Sequence, residues 1–142
     1  MKTVAKWFFS TTCSDVGLLI LRLVIGASFI VHGFPKITGG MEIWIKLGGA
    51  MGNLGIHFAP GFWGFCAALA EFGGRIALVI GCLTRLAASG IGFTKFVASL
   101  MHVMKGDGFD KYSHPIELLA VCLLLLLTGA GKYSVDHHLQ GK

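Results

Sequence analysis

The sequence predicts an all-α fold, a four-helix transmembrane bundle with a long first extramembrane or re-entrant loop. Charged residues make up 13% of the 142 positions and hydrophobic residues 54%, whereas soluble domains carry about 25% charged residues. The mean hydropathy is +0.74. So few charges cannot cover a water-soluble surface of this size. Residues 1–142 are therefore predicted to form a single membrane domain.

The four predicted spans are apolar on all sides. Each is close in length to the about 20 residues that a helix needs to cross a bilayer. They cover residues 16–34, 61–83, 86–104 and 115–133. The flanking residues decide the assignment of the fourth span, because Pro115 suits a first helical turn and Gly129 suits a helix end. The lipid bilayer is thus the first predicted partner.

The connection between the first two spans, residues 35–60, is the longest of the predicted loops. Its residues 41–52 combine Ile43, Trp44 and Leu47 with several glycines, which is typical of an interfacial or re-entrant segment. We expect this segment to cover one face of the bundle.

The net charge of +5 comes from Lys and Arg residues that are scattered singly along the chain. Without a basic patch, nucleic acid is excluded as a partner, and the excess favours attraction to anionic lipid. If the N-terminus is inside, five Lys and Arg residues face the cytoplasm and four face the other side. The positive-inside rule then favours cytoplasmic termini.

The cysteines show neither a CxxC motif nor zinc spacing to histidines: Cys13, Cys66, Cys82 and Cys122. They are predicted to be buried and structural, and no metal site is expected. The chain also carries no flavin, haem or iron–sulfur motif. Small residues recur on two spans: Gly73, Ala77 and Gly81, then Ala88 and Gly92. Such stripes let helices pack closely, either within one bundle or in a homo-oligomer.

Ionisable residues lie where a bilayer makes charge costly. Arg22, Glu71, Arg75 and Lys95 fall inside predicted spans, and Glu117 falls in the first turn of the fourth. A charge at a helix centre costs about 3 kcal/mol on insertion scales, so each needs a partner, water or a route to the interface. Glu71 and Lys95 each lie about 14 Å from a helix end. We expect these groups to turn inward and form a polar seam.

The seam supplies the candidate site residues. Glu71, Lys95 and Glu117 are predicted to be catalytic, handling protons. A second set is predicted to bind a polar headgroup: His32, Lys36, Arg75 and His102. Glu71 precedes Arg75 by four residues, the favoured order for an intrahelical ion pair, and a purely structural pair is the alternative. Arg22 is expected to extend towards the lipid headgroups.

Three short motifs together cover residues 17–136. The first comprises Leu21-Arg22-Leu23, Gly26, Phe29, His32-Gly33 and Lys36. The second comprises Glu71, Gly73-Gly74, Leu78, Gly81 and the run from Leu83 to Ala88. The third runs from Gly129 to Asp136. In this order they resemble the DoxX family of small bacterial membrane proteins, although Lys95 and the long first loop depart from the commoner pattern.

The resemblance implies a four-helix protein of the bacterial cytoplasmic (inner) membrane, with structural polar roles for Arg22, Arg85 and Asp136. The family takes its name from the membrane subunit of a thiosulfate:quinone oxidoreductase. With the polar seam, this favours an integral membrane subunit of an oxidoreductase assembly that takes a quinone from the membrane and works with a soluble or peripheral oxidoreductase subunit. The alternatives are a small proton-coupled transporter and a non-catalytic membrane anchor for a soluble enzyme.

Overall fold

The computed structural model describes residues 14–141, except for the side chains of residues 28–32. Its helices are α1 (Ser14–Thr38), α2 (Gly40–Gly48), a 3-10 helix (Gly49–Leu54), α3 (Pro60–Ile80), α4 (Thr84–Met104), α5 (Phe109–Thr128) and α6 (Val135–Leu139). No strand occurs within residues 14–141, so the all-α prediction is confirmed there. The predictions for Cys13 and for the side chain of His32 lie outside the described residues.

Helices α3, α4 and α5 are long and apolar enough to cross a membrane. Their outer surfaces carry large apolar side chains, such as Leu86 at 67% and Leu127 at 77% exposure. Such surfaces are costly in water and suited to acyl chains. The protein is therefore placed in a lipid bilayer. A fourth crossing, by α1, stays a prediction.

Helix α5, which corresponds to the fourth predicted span, differs from that span in its bounds. Helix α5 begins at Phe109 and ends at Thr128, so the placing of Pro115 in the first turn is wrong and this proline lies inside the helix. The helix begins earlier because Gly108 is extended, with φ −64° and ψ 161°, and Asp110 follows in the first turn. An acidic residue there interacts favourably with the positive end of the helix dipole.

The first loop is shorter than predicted, because α1 continues through Pro35 to Thr38. Helix α2 then follows after a break at Gly39, and its first residue, Gly40, has φ +73°, a conformation that favours glycine. Helix α2 and the 3-10 helix occupy most of the segment that the sequence predicts to be interfacial or re-entrant. The indole Nε1 of Trp44 donates to the carbonyl of Lys36 at 3.0 Å, satisfying an acceptor near the end of α1.

Helix α3 is central to the packing, since α1, α2 and α4 all contact it, and α5 packs on α4. The apolar core joins α3, α4 and α5 through six buried residues: Leu78, Ala87, Ala88, Ile91, Cys122 and Leu125. From α1, Leu18 and Leu21 pack against this core.

Two glycines fix α2 against α3. A Cβ on Gly64 would overlap the carbonyl of Trp44, and a Cβ on Gly48 would overlap the carbonyl of Pro60. The two backbones are therefore in direct contact, which only glycine allows at these positions. This contact holds α2 beside the first part of α3, where the cavity described below opens.

Candidate functional site

The carboxylate of Glu71, midway along α3, contacts three cations. Its Oε1 accepts a hydrogen bond from Lys95 Nζ of α4 at 2.8 Å. Its Oε2 accepts one from Lys36 Nζ of α1 at 2.7 Å and lies 3.3 Å from Arg75 of α3. One acid thus joins three helices, and the predicted Glu71–Arg75 pair is present. We call these four residues the Glu71 cluster.

The Glu71 cluster is largely withdrawn from the surface. The side chains of Arg75, Glu71 and Lys95 are 1%, 8% and 11% exposed, whereas that of Lys36 is 33% exposed. Buried charges need close partners because the interior screens them poorly. Arg75 is therefore sealed within the protein, and Lys36 is the member nearest to the outside.

Small residues one helical turn away bring these side chains together. A Cβ on Gly33 would lie 3.3 Å from Cα of Phe72, so α1 and α3 are close just before Lys36. A Cβ on Gly74 would lie 3.1 Å from the side chain of Ile91, so α3 and α4 are close one turn before Lys95. These contacts place a side chain from each neighbouring helix at the level of Glu71.

A cavity of about 700 Å³ opens beside the Glu71 cluster, between α2, the 3-10 helix, α3 and α4. Its walls are mostly apolar and include Leu47, Met51, Trp63, Phe93 and Val97. Its charged lining residues are Lys36, Lys46, Glu71, Lys95 and Lys105. Cavities of this volume, with apolar walls and a few polar groups, are typical of sites for small molecules.

Arg75 lies outside this cavity, since it is absent from its lining and its side chain is 1% exposed. It contacts the same carboxylate oxygen as Lys36, from within α3. The geometry therefore places Arg75 behind Glu71, away from the cavity lining, where it supports the carboxylate. The headgroup-binding role of Arg75 stays a prediction.

Two predicted site residues lie away from the Glu71 cluster. Glu117 is exposed on α5, because that helix packs on α4 through Leu118, Cys122 and Leu125 and turns the glutamate outward. Its predicted place in an inward seam is therefore wrong. His102 instead has its Nδ1 2.7 Å from Asp107 in the loop that follows α4.

The loop after α4 forms a small polar cluster of its own. Asp107 contacts both His102 and Lys111, the latter at 3.3 Å. The hydrogen bond from His102, together with Lys111, lowers the pKa of Asp107. These contacts join the end of α4 to the start of α5, so His102 serves the connection between two helices.

Arg22 is completely buried, which makes the expectation that it extends to lipid headgroups wrong. Its guanidinium donates to the carbonyls of Leu78 and Tyr133 and lies where a Cβ on Gly81 would be. Gly81 has φ +73°, so both its backbone conformation and its contact with Arg22 require glycine. Arg22 thereby ties α1 to the end of α3 and to the segment before α6.

Asp136 closes the same end of the molecule. Its carboxylate accepts hydrogen bonds from the backbone amides of Leu83 at 2.7 Å and Thr84 at 2.8 Å, at the start of α4. Burial opposes ionisation, but these amides and the nearby Arg22 together lower the pKa of Asp136. Arg85 is exposed and donates to the carbonyl of Leu127 at 3.3 Å.

Sequence reasoning missed several cavity residues. Three of them, Lys46, Trp63 and Lys105, are not among the predicted site residues, and Cys66 is predicted only to be buried and structural. The available signal was the amphipathic segment around Trp44, which predicts a covering element without saying which residues it covers. Within the described residues, no three His, Cys, Asp or Glu side chains are grouped to hold a metal ion.

Fold and site together define a helical membrane protein with a buried ion cluster at the end of an apolar cavity. The profile of the DoxX family matches residues 17–103, a range that contains the whole Glu71 cluster. This chain belongs to the DoxX family, as the sequence motifs indicated.

The chain is similar to curated relatives along most of its length. It is 36% identical to Inner membrane protein YqjF of Escherichia coli (strain K12), over 90% of this chain and 95% of the relative. It is 28% identical to the protein named "Putative oxidoreductase CatD" of Bacillus subtilis (strain 168), over 86% of each. Inner membrane protein YphA of Escherichia coli (strain K12) is 29% identical, over 92% of this chain and 96% of the relative. No solved structure matches the chain.

Proposed function

We propose that this protein is the quinone-binding membrane subunit of an oxidoreductase assembly in the bacterial inner membrane, crossing it four times with both termini in the cytoplasm. The observation that carries the proposal is the cavity in which Lys95 and Lys36 lie beside Glu71, within walls that are mostly apolar. The printed names of the relatives support it, since one is called an oxidoreductase and two are called inner membrane proteins.

A quinone suits this cavity for two physical reasons. Its ring and tail are apolar, which favours walls built from residues such as Met51, Phe93 and Val97. Its two carbonyl oxygens accept hydrogen bonds, and lysine ammonium groups are strong donors. Lys95 and Lys36 are the proposed donors, and Glu71 holds both of them in place.

Reduction of a quinone consumes two electrons and two protons. The electrons would come from a soluble or peripheral subunit that carries its own redox centre, and the two protons would come from the aqueous phase and be passed on by Glu71 and Lys95. This chain would bind the headgroup, exclude bulk water from it and present the ammonium groups. In this arrangement the chain itself needs no resident cofactor, because the partner subunit carries the redox centre.

Binding is tested with purified protein in phosphatidylcholine nanodiscs, with short-chain ubiquinone-1 as the probe. Trp63 lines the cavity, so bound quinone should quench its fluorescence saturably, and Trp63→Phe should remove most of that signal. A hydrogen bond to a charged group contributes about 1.5–3 kcal/mol, so Lys95→Met should weaken binding about tenfold or more. Quenching that rises linearly with quinone in the lipid, in wild type and variant alike, would refute the site.

Two further variants keep the binding test interpretable. Lys36→Met removes the more exposed donor and replaces Lys95→Met in the binding test if that variant fails to fold. Lys132→Met removes a lysine that is 72% exposed and contacts Asp15, outside the cavity, and should bind quinone as the wild type does. The same affinity in all three variants would contradict the assignment of the donors.

The redox role has its own experiment. The complex is purified from native membranes through this chain, reduced with dithionite and mixed with ubiquinone-1, while the absorbance of the partner's redox centre is followed by stopped flow. We expect rapid re-oxidation that Lys95→Met slows and that Glu42→Gln, an exposed substitution on α2, leaves unchanged. Co-purification of no redox centre at all would contradict the oxidoreductase assembly and favour the transporter alternative.

A further inference from the structure

We infer that the occupant of the cavity carries negative charge on its headgroup, so that an acidic, ionised quinone binds in preference to a neutral one. This inference rests on the quinone site proposed above. It follows from the balance of charges around the cavity, from the contacts that Glu71 already makes, and from the position of the lysines between the mouth and the interior.

The cavity lining carries an excess of positive charge. Four lysines line it, namely Lys36, Lys46, Lys95 and Lys105, and Glu71 is the one acid among its lining residues. Four ammonium groups and one carboxylate leave a formal charge of three positive units. Arg75 lies behind the cavity and contacts the same carboxylate, so the surrounding protein adds positive charge.

The carboxylate of Glu71 cannot neutralise this excess. Lys95 contacts one of its oxygens, and Lys36 and Arg75 contact the other. The other acids near this end of the molecule are placed elsewhere. Asp107 contacts His102 and Lys111, and the exposed side chains of Glu42, Asp110 and Glu117 do not line the cavity.

In the Glu71 cluster, three cations share one carboxylate, and lipid and protein exclude water. Uncompensated positive charge is costly there, because Coulomb energies rise as the effective dielectric constant falls. A neutral carbonyl offers the lysines a hydrogen bond but no charge. An anionic oxygen offers both, and charge-assisted hydrogen bonds are about twice as strong as neutral ones. The cavity therefore discriminates in favour of an anion.

The lysines of the cavity lining also extend from the exposed surface to the buried interior. Lys46 of α2 and Lys105 at the end of α4 are exposed, whereas Lys95 is buried. A series of like charges along a low-dielectric cleft draws ligands of opposite charge towards it. Because the walls between these lysines are apolar, the fitting ligand is an anionic amphiphile and not a small inorganic anion.

The test compares two probes of nearly the same shape. 2-Hydroxy-3-methyl-1,4-naphthoquinone is ionised at neutral pH, and its methyl ether is neutral. Both are titrated into the full-length protein in phosphatidylcholine nanodiscs, and affinity is read from Trp63 quenching. We expect the ionised quinone to bind about tenfold more tightly than the ether, and we expect Lys95→Met, and to a smaller extent Lys36→Met, to reduce that difference. Lys132→Met should leave the difference unchanged.

The outcomes separate this inference from the proposed function. Equal affinity for the two probes would overturn the inference while leaving a quinone site in place. Saturable binding of neither probe would overturn both. Part of the phosphatidylcholine is also replaced by phosphatidylglycerol. If the anionic lipid displaces the ionised quinone completely, the occupant is a lipid headgroup and the inference of an acidic quinone is wrong.

Discussion

Replacing Glu71 by glutamine removes the single negative charge that three helices share. The shape of the side chain is kept, but Lys95 and Arg75 remain buried with side chains 11% and 1% exposed. Lys36 is one-third exposed and can turn towards water, so leaving its charge without the carboxylate costs little stability. Removing one partner of a buried ion pair costs about 3–5 kcal/mol. We expect Glu71→Gln to lose stability in this range.

A double-mutant cycle tests this reasoning. Lys95→Met removes one of the two buried cations, so the double variant Glu71→Gln/Lys95→Met should regain about 1–2 kcal/mol relative to the sum of the single changes. The free energy of unfolding is measured by titrating detergent-solubilised protein with dodecyl sulfate and following helix content. Glu42→Gln, the same substitution at an exposed position on α2, is the control and should behave as the wild type. Strictly additive losses, or a Glu71→Gln variant as stable as the wild type, would refute the account of the cluster.

Three other predictions concern different parts of the molecule. Gly64→Ala should separate α2 from α3 and abolish quinone binding. Gly73→Ala is the control and should be tolerated, because the added Cβ meets only a side chain at 3.9 Å. Quinone affinity of the two variants is measured by titration in nanodiscs. Asp136→Asn should lower stability by about 1–2 kcal/mol at pH 7. The pKa of Asp136 is lowered in the folded state. Its contribution to stability is therefore present above the ordinary aspartate pKa of about 3.9 and is lost as the pH falls through the folded-state pKa, so the wild-type and variant melting temperatures should converge as the solution is acidified below that pKa. Glu117→Gln should leave quinone affinity unchanged, and a loss of affinity there would show that α5 contributes to the site.

The sequence predicted those parts of the site that depend on helical spacing alone. The order of Glu71 and Arg75 on one helix is sufficient for their contact. The similar depths of Glu71 and Lys95 follow from their positions in two helices joined by a tight turn. Such local geometry is set by the rise and rotation per residue, which require no knowledge of the rest of the fold.

Other parts depended on packing that spacing does not determine. Lys36 reaches Glu71 because α1 continues past Pro35 and Gly33 allows close approach to α3. Glu117 faces outward because α5 packs on α4 through another face. His102 contacts Asp107, only five residues later, and helical spacing does not predict this contact because Asp107 lies in the loop after α4.

Two cysteines of this chain offer the most direct test that the cavity beside Glu71 is the ligand site. Cys66 lines the cavity and Cys82, near the turn before α4, does not, so each molecule contains its own control. Native membranes are treated with N-ethylmaleimide with and without ubiquinone-1, and modification of each cysteine is measured by mass spectrometry. Slower modification of Cys66 in the presence of quinone, with Cys82 unaffected, is the predicted result. Unchanged modification of Cys66 at saturating quinone, or equal slowing at both cysteines, would contradict the account.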